Sequence, residues 1–245
     1  METYGQRRRT KVAAGLAAIA VLAAGCGGST KGEAEPAKES TAPSSAPSIT
    51  TPAKDLVLTA AELPAGITVV PVSDAQLKEV VDQMSGAAST AKFSPAGCAS
   101  ATALTDATKK LDVSQVGLVT GSTDTGAVSE TVASEKPDIA KLRENFAGKC
   151  NSMRADMSVQ GQQVSSEITT TLRDAPKTSA TDAVVLHQVN VSTTAGQNVT
   201  QRMLLGFAQV GGYSVSVTAI GMTGEPDAAL FDRVFVAAVA KVAKG

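Results

Sequence analysis

Three strand-like runs near the C-terminus, residues 183–193, 199–210 and 213–221, are divided by the short turns Ala195-Gly196-Gln197-Asn198 and Gly211-Gly212. Connections this short cannot hold the crossover that parallel neighbours need, so the runs must pair antiparallel, with Gly-Gly as a two-residue hairpin signal. Tyr213, Val215, Val217 and Ala219 alternate with Ser214, Ser216 and Thr218, which gives that strand one apolar face and one wetter face. Pro226 then opens a helix whose Leu230, Phe231, Val234, Phe235, Ala238 and Val242 share one stripe. The expectation is a three-strand meander with a C-terminal helix packed across it.

Upstream, the same mixture of short helices and antiparallel strands continues. Ser73 and Gln76 have capping-box spacing, and Leu77, Val80, Val81 and Met84 form a stripe, so residues 73–85 are predicted as a helix. Residues 67–72 read as a strand, and Thr59 to Glu62 as a capping box on a short turn before Pro64. A second helix is expected over residues 98–111. Residues 113–120 and 126–134 form a plausible hairpin. Pro137 opens a helix with Ile139, Leu142 and Phe146 on one face, ended by Gly148. Residues 159–172, rich in Thr and Ser, read as an exposed or edge strand. The fold class is α+β rather than a doubly wound α/β sheet.

The N-terminus constrains location. Arg7-Arg8-Arg9-Thr10-Lys11 precedes an apolar run over residues 12–24 and then Gly25-Cys26. As a helix that run reaches roughly 20 Å, short of the ~30 Å hydrocarbon core of a bilayer, so it reads as an export signal, residues 1–25, and not as a span. Leu22-Ala23-Ala24-Gly25-Cys26 resembles a bacterial lipobox, with Leu22 four residues before the cysteine where the common pattern has three. Cys26 would carry lipid and begin the mature chain. Residues 26–55, with Pro36, Pro43, Pro47 and Pro52 among Ser, Thr and Ala, read as a flexible linker. Residues 56–245 form one extracytoplasmic domain.

Of the three cysteines, Cys98 and Cys150 remain as a pair in an oxidising compartment and are expected to form a disulfide. Such a loop closure contributes about 4 kcal/mol in the chain-entropy picture. With 43% hydrophobic but only 3% aromatic residues and no Trp, the core must be aliphatic. The formal charge of −1 provides no attraction for nucleic acid.

The order of these features resembles lipoproteins of mycobacteria and related actinobacteria, of the type related to the extracellular sensor domain of PknH-like receptor kinases. The residues that carry the likeness are Leu58-Thr59-Ala60-Ala61-Glu62-Leu63-Pro64-Ala65-Gly66, Cys98 after a Ser-Pro turn, Cys150 after a helix, and the closing meander and helix. The kinase sensors have more cysteines. The resemblance implies an extracytoplasmic α+β domain that binds a ligand, and transfers no functional residue.

Catalytic patterns are weak. Ser89-Thr90-Ala91-Lys92 matches the Ser-x-x-Lys of penicillin-binding enzymes, but no Ser-x-Asn element follows, and a solvated loop is the expected role. Asp124-Thr125-Gly126 is a single aspartic-protease tripeptide in a polar turn. His187, the only histidine, is expected as a half-buried strand residue facing the side of Val185 and Val189. The sequons at Asn190 and Asn198 are read as chance, because a lipobox implies a bacterium. No metal site is expected, and with no phosphate-cradling or dinucleotide fingerprint, no cofactor. The sequence therefore points to a non-enzymatic ligand-binding or sensor-like lipoprotein on the outer face of the cell membrane. Its partners would be the membrane, through the lipid on Cys26, and an envelope ligand or protein. The rivals are a carrier of an apolar envelope lipid, which predicts a large cavity under the final helix, and an envelope hydrolase, which predicts a nucleophile beside His187. A Cys26→Ala form is expected to lose metabolic lipid labelling and leave the membrane fraction; unchanged labelling and retention would end the lipoprotein reading.

Overall fold

The computed structural model describes residues 49–101, 115–159 and 161–245. Its strands are β1 (Thr68–Val69), β2 (Lys92–Ser94), β3 (Gly117–Ser122), β4 (Gly126–Ala133), β5 (Ser152–Val159), β6 (Gln162–Arg173), β7 (Asp182–Thr194), β8 (Gln197–Val210) and β9 (Tyr213–Gly221). They form one nine-stranded sheet in the order β1-β3-β4-β9-β8-β7-β6-β5-β2, antiparallel throughout. Among the described residues the α-helices are α1 (Ala53–Leu56), α2 (Asp74–Thr90), α3 (Ile139–Ala147) and α4 (Ala228–Lys244). The fold is α+β, with the expected meander β7-β8-β9 and the C-terminal helix packed on it.

Turn chemistry sets the meander's register. Ala195 and Gly196 have φ of 50° and 78°, and Gly211 and Gly212 have 58° and 99°. Both hairpins thus turn with two left-handed residues, the geometry whose twist matches the flanking strands. The first turn is tighter than the sequence suggested, because Gln197 and Asn198 already pair with Thr194 and Thr193.

Alternation on these strands sends side chains to two cores. On one face Val128 and Val132 of β4, Val185, Leu204, Ala208, Val215 and Val217 pack against Phe231, Val234, Phe235 and Ala238 of α4. On the other face Val184, Leu186, Met203, Leu205 and Phe207 pack against Ile139, Leu142 and Phe146 of α3. Cys98 and Cys150 form a disulfide in this second core, with Cα atoms 5.5 Å apart and both residues buried. It joins a 3-10 turn at Ala96–Ala101 to the chain just beyond α3.

The helix ends follow local chemistry. Ser73 and Gln76 make both bonds of the capping box on α2. Asp138 caps α3 through the Lys141 amide at 2.9 Å, and Asp227 caps α4 through the Leu230 amide at 2.9 Å. Pro137 and Pro226 therefore precede the cap and do not occupy the first helical position.

Several expectations change. Residues 159–172 do not form an edge: β6 lies between β5 and β7. Its partner β5 escaped notice because only Met153 and Ala155 mark its buried face, among Arg154, Asp156 and Ser residues. The edges are instead β1 and β2, with two and three residues, which limits the unpaired backbone available to another chain. The expected strand at 67–72 shrinks to β1, with Pro71 supplying no amide hydrogen. Helix α2 runs five residues past Ser85, to Thr90. Of the helix expected at 98–111, residues 102–111 lie outside the described residues. Packing also begins before Leu56: the Ile49 amide donates to the Gly211 carbonyl at 3.2 Å, the Tyr213 hydroxyl donates to the Thr51 carbonyl at 2.7 Å, and Ala53 is buried. Residues 49–55, which composition assigns to the linker, thus lie against the sheet and α4.

Gly206 on β8 lies directly under the two phenylalanine rings of α4. A Cβ there would meet Phe235 Cδ2 and Cε2 at 2.8 Å and Phe231 Cζ at 2.9 Å. The two rings are stacked on each other, with centroids 5.9 Å apart, so neither can swing aside freely. Gly206→Ala is expected to destabilise the protein by about 1–3 kcal/mol, the usual cost of overpacking, as read by urea denaturation with an unchanged m-value.

Candidate functional site

The sheet's second face holds a cavity of about 170 Å³ between α2 and strands β3, β4 and β9. Period-two alternation builds its floor. On β4, Val128, Glu130 and Val132 turn toward the α4 core, so Ala127, Ser129 and Thr131 turn toward the cavity. The same logic presents Leu118 and Thr120 from β3, and Thr218 and Ile220 from β9. The roof is the α2 stripe Leu77, Val80, Val81 and Met84, at the i, i+3, i+4, i+7 spacing of one helical face. Val72, at the exposed side, and Val116, which is buried, complete the lining.

The roof is held at both ends. At the start of α2, Lys54 Nζ lies 3.3 Å from Asp74 Oδ2, and the adjoining strap is fixed by the Val70 amide donating to the Thr120 carbonyl at 2.9 Å. At the far end the Ser158 amide of β5 donates to Thr90 Oγ1 at 3.0 Å. Helix α2 thus runs from one flank of the sheet to the other. The cavity grades from open to closed: Val72 and Val80 are 40% and 38% exposed, whereas Val81, Met84, Val116, Thr131 and Thr218 are buried. Among the described residues that line it none carries a charge, and the only polar side chains are the hydroxyls of Thr120, Ser129, Thr131 and Thr218.

The space beneath the final helix, where a lipid carrier was expected to have its cavity, is filled by Phe231, Val234, Phe235 and Ala238 against the sheet. His187 lies on β7, its side chain 30% exposed, with Nε2 2.8 Å from Glu225 Oε2. Glu225 also meets Arg202 Nε at 3.0 Å, so one carboxylate bridges β7 and β8 to the loop before α4. The hydroxyl of its cross-strand partner Thr171 donates to the His187 carbonyl at 3.5 Å. Ser89 is in the last turn of α2, bonded to the Gly86 carbonyl at 2.7 Å, and Lys92 begins β2; they are not in a loop. Asp124 sits in the β3–β4 turn. Asn190 and Asn198 lie on β7 and β8, where Asn198 Oδ1 accepts from Thr193 at 2.8 Å. Cys26 lies outside the described residues.

The sequence reading missed Glu130. It alternates with Val128 and Val132 and so enters the core under α4, where it is 1% exposed. Its Oε2 accepts from the Leu58 amide at 3.0 Å, and Oε1 has no partner among the described residues. Nearby, Lys241 Nζ donates to Glu62 Oε2, and that bond together with the backbone and hydroxyl of Thr59 holds the Glu62 carboxyl down at about 2. Burial pushes the Glu130 carboxyl up to about 7, against the opposing pull of the Leu58 amide and the more distant Lys241. An alternating pattern with an acid at a core position is the signal that could have revealed it.

Comparison with protein-family models, with curated proteins and with solved structures returned no match in any of the three.

Because the folded protein binds this proton more tightly than the unfolded chain, Glu130 costs nothing below about pH 4.5. Stability then falls as pH rises to about 7 and levels off above it. The full loss is about 3 kcal/mol, at 1.36 kcal/mol per pH unit. Glu130→Gln, which cannot ionise, should match the wild type near pH 4.5 and exceed it by up to about that amount at pH 8 in denaturant titrations; an unchanged difference between the two pH values would refute the buried-carboxyl account.

Proposed function

We propose that the protein is a lipoprotein anchored through Cys26 to the outer face of the cell membrane, and that its folded domain is a non-enzymatic ligand-binding or sensor-like module. The cavity between α2 and the sheet carries this reading: it is bounded by regular elements tied at both ends and presents surface without charge or nucleophile–base geometry. The buried Cys98–Cys150 bridge supports an oxidising, extracytoplasmic setting. The run over residues 12–24 and the lipobox-like Leu22-Ala23-Ala24-Gly25-Cys26 support export and lipidation. Among the described residues no helix is long and apolar enough to cross a membrane, and lipid on Cys26 would supply the attachment. The PknH-like resemblance is consistent with a sensing role.

His187 on this reading is structural, a strut to Glu225. Nondenaturing mass spectrometry of the chain purified from its own host should show a stoichiometric non-covalent ligand, retained in His187→Ala. An empty chain with hydrolytic activity that His187→Ala abolishes would overturn the assignment.

A further inference from the structure

The binding reading leaves the chemistry of the occupant open, and the cavity wall limits it. We infer that the site takes the end of a single uncharged hydrocarbon chain, inserted between α2 and β3 past Val72 and Val80, with the chain's polar head left outside. This inference rests on the cavity being the binding site.

Three observations carry it. The first is volume: about 170 Å³ is slightly more than the ~150 Å³ of an apolar cavity that stays dry and admits benzene, so it accommodates roughly six carbons. That is too little for a two-chain lipid or a sugar, and enough for one chain end. The second is chemistry. The inner wall of Val81, Met84, Val116 and Ile220 has no cation or anion to meet a charged group, and a charge placed there would lose its hydration without compensation. Met84 adds a flexible thioether that adapts to irregular apolar shapes. The third is the gradient of exposure. Val72 and Val80 are large apolar side chains left partly in water at the rim, whereas Val81, Met84 and Val116 are buried. A chain entering there would cover the rim as well as fill the interior.

Two other depressions among the described residues lack these features. The depression beside Lys136, Gln209 and Tyr213 at the β8–β9 turn is open and partly polar, and the Glu130 pocket has no free volume.

The test uses the whole lipidated chain in phosphatidylcholine vesicles with a photoreactive, diazirine-bearing hexadecanol, the cross-linked peptides being mapped by mass spectrometry. Labelling should concentrate on residues 74–90 and 116–131. Palmitic acid and unmodified hexadecanol should compete, whereas hexadecanedioic acid, which must bury one charged end, should compete at least roughly ten-fold more weakly. Ala127→Leu fills the cavity from the floor, and Val80→Phe blocks it from the exposed rim where the fold tolerates change; either should reduce labelling several-fold. Labelling spread evenly over the domain, equal competition by the dicarboxylic acid, or labelling unchanged in Val80→Phe would overturn the inference. A co-purified native ligand without a hydrocarbon chain, together with an unlabelled α2, would overturn it while leaving the binding reading in place. An empty, unlabelled chain would remove both.

Discussion

The contact of Phe231 and Phe235 with the bare backbone of Gly206 seats α4 on the sheet. It lets α4 lie close to β8, so that Val185, Val215 and Val217 are sealed from water with an almost entirely aliphatic set of side chains. A chain with so few aromatics must place them where they bury most, and two of its five phenylalanines are spent here. Arg173 reinforces the same helix from β6, its guanidinium meeting both oxygens of Asp232 at 2.7 and 2.6 Å. That fork–fork geometry is directional, and it joins the meander's outer neighbour to α4.

With one face closed so tightly, the other has to be covered piecemeal. Helix α3 and the disulfide cover β6 to β8, and α2 crosses toward β3 on contacts at its two ends. A straight helix laid over a twisted sheet touches it unevenly, and small side chains such as Ala127, Ser129 and Thr131 do not fill the gap. The cavity is therefore a consequence of where the large side chains went. Its apolar character follows from the same residues, since Val, Leu and Met on the roof and Ile220 on the floor leave nothing to attract a charged ligand.

Glu130 shows the opposite compromise. Strand β4 must keep its register with both β3 and β9, and that register turns residue 130 inward with Val128 and Val132. The Leu58 amide satisfies one oxygen and helps hold the segment after α1 against the sheet. Burial, with no partner for the second oxygen among the described residues, makes the folded state prefer the neutral acid.

The meander, α4, the helix over Ile139, Leu142 and Phe146, and the pairing of Cys98 with Cys150 were legible in the sequence. Each rests on local signals, a two-residue turn, a 3.6-residue stripe or an even pair of cysteines, that need no knowledge of distant neighbours. The proposed export and lipidation address rests likewise on a linear pattern, residues 7–26. Tertiary structure decided what local pattern cannot express: that polar β6 is interior, that β4 pairs with β9 across more than eighty residues, that Ile49 belongs to the fold, and that α2 stands off the sheet over a cavity. A strand's alternation defines two faces but not which partner lies beside it or what covers each face. Those depend on long-range pairing and on how side-chain volumes add up between layers, and so the candidate site emerged only when the layers were assembled.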